Sequence, residues 1–230
     1  LAKVNSAIKD VAKEVDVPVR IVAPKVDVSD ELKALGIVDL ITVGHTRFDG
    51  SPPNRIHNIG VGMAKFSGKL IMPGETFSFN ENLGEVDDTT GYKKELVIKA
   101  EGTIPEYGGG LCQVSSTMFR AAVFGGLPIK ERSPHKYAVQ YYALIGGHGL
   151  DATIYPPLKD LKFTNDTPGA ILIQSYVDGT QAYFKFYGTP DGRKVAMEGP
   201  TVSNRIAAPS KAVMIHDKKL AAGEKKQVEK

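Results

Sequence analysis

The 230-residue chain is 42% hydrophobic and 24% charged, with 24 Gly and 14 Pro, a make-up that excludes wholesale disorder and collagen-like structure. Its formal charge is +3, but in the tail Ser210–Lys230 six Lys already outnumber Asp217, Glu224 and Glu229. The remainder is neutral and lacks the basic face a nucleic-acid binder needs, and no run approaches the roughly 20 apolar residues of a membrane span.

Val4, Ile8, Val11 and Ala12 recur at helical spacing, and the alternation around Val17–Ile21, bounded by Pro18 and Pro24, predicts a strand. Residues 1–35 are expected to be the end of an upstream domain. The chain opens at Leu1 without a basic-then-apolar leader, and we expect any export signal to have been removed. Ser29-Asp30-Glu31 before Leu32 and Leu35, with Gly36 to close it, predicts a helix. Residues 37–50 read as a strand running into a loop. Ile56, Ile59, Met63 and Phe66 place a helix over 53–67, where Gly60 and Gly62 either weaken it or admit another backbone. Leu70-Ile71-Met72, Pro73-Gly74 and Phe77-Ser78-Phe79 predict a hairpin, and Leu96-Val97-Ile98 a further strand.

Beyond Gly108-Gly109-Gly110, the residues Leu111, Val114, Met118 and Ala121/Ala122 share one helical face, which Gly125-Gly126 ends. Strands are expected at Ile129–Arg132, Tyr137–Tyr142, Ala152–Tyr155, Leu161–Phe163, Ala170–Tyr176 and Ala182–Tyr187, the last two joined through the turn pair Asp178-Gly179. Past Pro190 the chain is Pro-, Lys- and Ala-rich, a linker or the start of a further module. The class is α+β, without internal repeat. The main domain is expected at 36–190, a mostly antiparallel sheet with one helix packed against it.

Cys112 is the only cysteine, which excludes an internal disulfide framework and any paired-Cys zinc motif. Three glycines deliver the chain to a helix whose first turn holds the thiol, where unpaired N–H groups and the helix dipole favour a thiolate. The same N–H groups, with Gly109 and Gly110, suit an oxyanion. The alternative is an inert packing cysteine. A nucleophilic thiol needs a base, and His135 followed by Asp151 supplies the order Cys, His, Asp of an activated-thiol site. That order resembles papain- and transglutaminase-like enzymes. His148, flanked by glycines, competes with His135 but is poorly anchored. A zinc site from Cys112, His135, His148 and Asp151 lacks any compact ligand spacing. Arg55 and Arg132 suit a substrate carboxylate, or else surface salt bridges.

Three stretches, Pro53-Asn54-Arg55 with Asn58-Ile59, Pro73-Gly74-Glu75-Thr76-Phe77-Ser78-Phe79-Asn80 and Tyr107-Gly108-Gly109-Gly110-Leu111-Cys112-Gln113-Val114-Ser115-Ser116-Thr117, occur in order. With Glu131-Arg132, His135 and Asp151-Ala152-Thr153, the chain resembles VanW-domain proteins over about residues 40–190. Residues 1–35 resemble the end of a peptidoglycan-binding-type domain, and Leu220–Glu224 the start of a small β module, within a linker region of 191–230.

The resemblance implies a bacterial cell-envelope protein, exported and membrane-anchored at full length, acting on peptidoglycan stem peptides without a cofactor or metal. It implies L,D-transpeptidase activity with Cys112 as nucleophile and His135 as base. Asp151 completes the expected catalytic set. Gly109, Gly110, Gln113, Ser115, Arg132, Arg55 and Tyr107 form the expected oxyanion and substrate-binding set. The run Ile145–Leu150 departs from the shorter family form, leaving His148 without a family role. A non-catalytic peptidoglycan-binding module and a zinc amidase are the rival readings.

Overall fold

The computed structural model describes residues 29–99, 102–135, 139, 142, 145–199, 201, 203 and 220–225. The helix and strand expected within residues 1–28, most of the strand expected at Tyr137–Tyr142 and most of the tail lie outside them.

Strands β1 (Asp39–Arg47), β2 (Leu70–Ile71), β8 (Ile171–Asp178) and β9 (Gln181–Gly188) form an antiparallel sheet in the order β1-β9-β8-β2. Asp39 pairs with Gly188 and Arg47 with Gln181, so the first and last strands of the domain lie side by side. Strict alternation buries Ala182, Phe184 and Phe186 of β9 on one face, as a half-covered strand requires. A second sheet, β3-β7-β6, comprises β3 (Thr76–Ser78), β6 (Ile129–Glu131) and β7 (Lys162–Thr164). The hairpin of β4 (Lys94–Lys99) and β5 (Gly102–Tyr107) stands apart. The described helices are α1 (Asp30–Ala34), α2 (Pro53–Ala64), α3 (Phe79–Leu83) and α4 (Leu111–Phe124). The class is α+β with mostly antiparallel sheets and few helices.

One aromatic core joins the two larger sheets. The Phe66 ring sits 4.5 Å from Phe79 and 5.8 Å from Phe184, and Phe163 bridges Phe77 at 5.3 Å to Phe186 at 5.7 Å. Each buried phenylalanine contributes about 2–3 kcal/mol by leaving water. Helix α4 lies against β1 at Gly44, where a Cβ would come within 2.1 Å of the Thr117 carbonyl oxygen and 2.5 Å of the Ala121 nitrogen. On either side, Thr42 Oγ1 donates to Ala121 O at 3.0 Å and Thr46 Oγ1 meets Thr117 Oγ1 at 2.6 Å. The missing side chain thus brings helix and strand backbones together, and the threonines use the close approach.

Two sequence expectations are corrected. The segment around Pro73-Gly74 is a corner between sheets and not a hairpin: β2 pairs with β8, whereas β3 pairs with β7. Glu75 N–H closes the turn on Met72 O at 3.0 Å, and the buried Asn165 side chain donates to Ile71 O at 2.8 Å to hold the corner. Residues Ala152–Tyr155 form only the isolated bridges Ser133–Thr153 and Tyr155–Lys159. The reason is that α4 side chains take their carbonyls: Ser115 Oγ donates to Ala152 O at 2.6 Å, and Cys112 Sγ approaches Ile154 O at 3.8 Å. Strand β5 escaped the sequence reading because Pro105 interrupts it. Helix α3 is short, but its signal was present: Ser78 caps it by accepting from Glu81 N–H at 3.2 Å.

Candidate functional site

The site begins at the approach to α4. Gly110 occupies the N-cap in a left-handed conformation, φ 117°, and a Cβ there would press on Arg55 and Ile59 at 3.1 Å. Only glycine turns this corner without strain. Leu111 N–H returns to Gly108 O and Gln113 N–H to Gly110 O, both at 2.9 Å. Cys112 therefore sits in the first turn, half-buried, on the positive end of a 14-residue helix.

Its neighbours come from the chain after β6. Asp151 Oδ2 accepts from both the His135 backbone N–H at 2.7 Å and the ring Nδ1 at 2.6 Å. Arg132 Nη2 donates to Asp151 Oδ1 at 3.1 Å and its Nε to Asp151 O at 2.7 Å, while its guanidinium stacks 5.1 Å over the Phe119 ring. Tyr142 covers the imidazole, its ring centroid 5.3 Å away. Burial pushes the His135 imidazole down, but hydrogen bonding to Asp151 and then to Cys112, with the charges of both, outweighs it and holds the pKa at about 9. Burial likewise raises the Asp151 carboxyl; the His135 ring and backbone hydrogen bonds, then the His135 and Arg132 charges, bring it below its ordinary value. The structure thus gathers Cys112, His135 and Asp151 into one cluster: a thiol, an imidazole beside it, and a carboxylate fixing the imidazole from behind.

The remaining expected residues are placed differently. Gln113 is fully buried and points away from the cluster: its Oε1 accepts from Arg55 Nη2 at 2.8 Å, and its Nε2 donates to Thr46 Oγ1 at 2.9 Å and Arg47 O at 2.8 Å. Its backbone N–H is also occupied, so neither group is presented to a substrate. Ser115 is buried, its hydroxyl spent on Ala152 O. Arg132, expected to receive a substrate carboxylate, instead grips Asp151. Arg55 is tied to Ser51 Oγ at 2.7 Å and to Gln113 on the α2 side of the glycine loop. Tyr107 donates to Asp88 Oδ2 at 3.3 Å. Gly109 is buried with its carbonyl accepting from Asn58 Nδ2 at 3.1 Å. His148 is exposed, and among the described residues no group of three or more His, Cys, Asp or Glu side chains is placed to hold a metal ion. Sequence reasoning missed Ser116, whose Oγ accepts from Ala152 N–H at 3.0 Å while donating to Cys112 O at 2.7 Å. The four-residue spacing from Cys112 was its signal.

A family model described as VanW like protein matches residues 54–187, which holds the whole cluster. The chain belongs to the VanW-like family. Among VanW-like relatives, an uncharacterized protein YoaR of Bacillus subtilis (strain 168) is 34% identical over 177 residues, 76% of this chain and 56% of that protein. The Vancomycin B-type resistance protein VanW of Enterococcus faecalis (strain ATCC 700802 / V583) is 35% identical over 117 residues, 50% of this chain and 42% of that protein. The chain spans about half the length of the curated relatives it matches. No solved structure matches this VanW-like chain, and no described helix is long and apolar enough to cross a membrane.

Proposed function

We propose that this VanW-like domain is a cysteine acyltransferase of the bacterial cell envelope, an L,D-transpeptidase acting on peptidoglycan stem peptides. The observation that carries the reading is the convergence of Cys112, at the N-terminus of α4, with the imidazole of His135, whose backbone N–H and ring Nδ1 both donate to Asp151 Oδ2. A relative named for vancomycin resistance supports the cell-wall assignment. The arrangement of cysteine at a helix start, helix on antiparallel sheet and histidine from a later segment parallels papain-like thiol enzymes.

In this reading the proton shared by Cys112 and His135 already rests on the imidazole, whose pKa is about 9, and the Cys112 sulfur attacks the carbonyl carbon of the L,D peptide bond. The tetrahedral oxyanion lies against the Cys112 backbone N–H and the Gly109-Gly110 approach, where the α4 dipole is positive. Collapse breaks the C–N bond, and His135 returns the proton to the departing D-residue amine, leaving a thioester on Cys112. An acceptor amine then gives its proton to His135 and attacks the thioester, restoring the thiol. Water in place of the amine gives a carboxypeptidase. Arg55 is the candidate for a substrate carboxylate, with Tyr107 on the rim. Residues 36–190 act as the catalytic domain of an exported, anchored protein, with wall-binding and β modules on either side.

The test is incubation with purified muropeptides, wild type against Cys112→Ala, read by intact-protein and product mass spectrometry. A thioester on the wild type alone, with crosslinked or trimmed stems, is expected. Muropeptides bound but unchanged, with no adduct on either protein, would make the domain a binding module.

A further inference from the structure

Arg120 is the largest side chain fully buried in the described structure, 1% exposed. A buried guanidinium normally faces a carboxylate. This one gives its donors to backbone carbonyls: Nε to Leu150 O at 2.9 Å, Nη1 to Ile145 O at 2.6 Å and His45 O at 3.1 Å, and Nη2 to Tyr142 O. Three of the four acceptors belong to the connection between His135 and Asp151. That connection holds Gly146, Gly147 and Gly149, all at positive φ, and such a glycine-rich loop has high conformational entropy unless something fixes it.

The position of Arg120 on α4 matters as much as its contacts. Cys112, Ser116 and Arg120 recur every four residues and so share one helical face. They meet the same stretch of chain in reverse order: Cys112 Sγ at Ile154 O, Ser116 Oγ at Ala152 N, Arg120 Nε at Leu150 O. Asp151 lies between the last two contacts. The stripe that carries the thiol therefore also measures out the segment that carries the carboxylate. A guanidinium, with five donors in a rigid fork, can hold several carbonyls of irregular backbone at once; an ammonium has three on a flexible stem.

We propose that Arg120 is a positioning residue for the Cys112–His135–Asp151 set, pinning Tyr142, Ile145 and Leu150 to α4 so that Asp151 meets His135 in register with the thiol. The inference rests on the reading of that set given above. Arg120 touches no reacting atom; it acts through Asp151.

The test is the titration of the His135 imidazole by NMR in the full chain, for wild type, Arg120→Gln, Arg120→Lys, Asp151→Asn and the double variant Arg120→Gln/Asp151→Asn. The groups facing the ring are Asp151, Cys112 and Tyr142, with Arg132 behind Asp151. The wild-type ring titrates at about 9. Removing the Arg120 charge alone would favour the imidazolium and raise this value, whereas losing the Asp151 contact lowers it. We expect Arg120→Gln to lower it by about one unit or more, Arg120→Lys to fall between, and the double variant to match Asp151→Asn, since residues acting through one contact are not additive. An unchanged or raised value in Arg120→Gln, or additivity in the double variant, overturns the proposal, even where thermal stability falls. Should Arg120→Gln fail to fold, a wild-type titration in folded Arg120→Lys overturns it. The titration reads positioning whether or not Cys112 forms a thioester. A wild type that forms none, while Arg120→Gln still shows the lowered titration, therefore sinks the transpeptidase reading and not this one.

Discussion

A single oxygen, Oδ2 of Asp151, accepts both the backbone N–H and the ring Nδ1 of His135, at 2.7 and 2.6 Å. The two contacts fix the residue's backbone and its ring together. They also leave Nε2 as the only ring nitrogen free of Asp151, so the imidazole has one orientation and one face to work with. Asp151→Asn keeps an acceptor but loses the charge. We expect a loss of about 1.5–3 kcal/mol in urea unfolding, and a His135 pKa falling from about 9 toward its ordinary value. An imidazole titration unmoved by Asp151→Asn would disconnect the pair.

The pH dependence of stability follows from the same contact. The folded His135 value of about 9 lies above its ordinary value of 6.5, so between the two the native state binds more protons than the unfolded one. The His135 contribution is full below about 6.5 and is lost as pH rises through about 9. Asp151, held below its ordinary 3.8, contributes above that value and is lost as pH falls through its lower folded value. Unfolding free energies of wild type and His135→Gln, compared at about pH 6 and about pH 9.5 (roughly half a unit outside either end of the window), should converge at the higher pH. A constant gap contradicts the assignment.

Gly44→Ala tests the seat of the helix that carries Cys112. The added methyl meets backbone atoms, Thr117 O and Ala121 N, at 2.1 and 2.5 Å, and backbone cannot rotate out of the way. A destabilisation of about 3 kcal/mol is expected, with Cys112 alkylating faster in the native protein as α4 shifts. Thermal unfolding and iodoacetamide kinetics give the two readouts.

Gln113 presents the opposite expectation. Although it follows the cysteine directly, its side chain serves Arg55, Thr46 and Arg47 O inside the protein. Gln113→Leu should cost about 2–3 kcal/mol through the polar groups it strands, and any rise in KM for muropeptides should come together with that loss of stability, because it acts through Arg55. A large rise in KM with unchanged stability would return Gln113 to the substrate side.

The helix face of α4, the alternation of β8 and β9 and the glycine-cysteine junction were legible because each is a local pattern with a fixed period or a fixed backbone demand. The order Cys, His, Asp stood in the sequence, and the structure brings the three side chains together. What the sequence could not show was where polar groups spend their hydrogen bonds. Arg132 and Arg55 look alike in a string of letters, yet one grips Asp151 and the other a buried glutamine. Ser115 and Ser116 look like a polar helix surface and are instead fully buried against Ala152. The corner at Pro73-Gly74 has all the letters of a hairpin, but distant Asn165 decides which sheet each arm joins.

The pairing of Asp39 with Gly188 has a mechanical consequence. Once the Thr189–Gly36 and Arg193–Asp166 contacts have given way, tension arriving through the two flanking segments meets the sheet at one rung, and antiparallel hydrogen bonds run across the strands. The rungs from Asp39–Gly188 toward Arg47–Gln181 are loaded one after another, like a zip, and not together in shear. Pulled by its own two ends the domain should yield at low force; held instead at Arg47 and Gly188, it should resist more strongly, an ordering that optical tweezers can reverse or uphold. Such tension would thus peel β1 from β9 first, and β1 is the strand on which the cysteine-bearing helix rests.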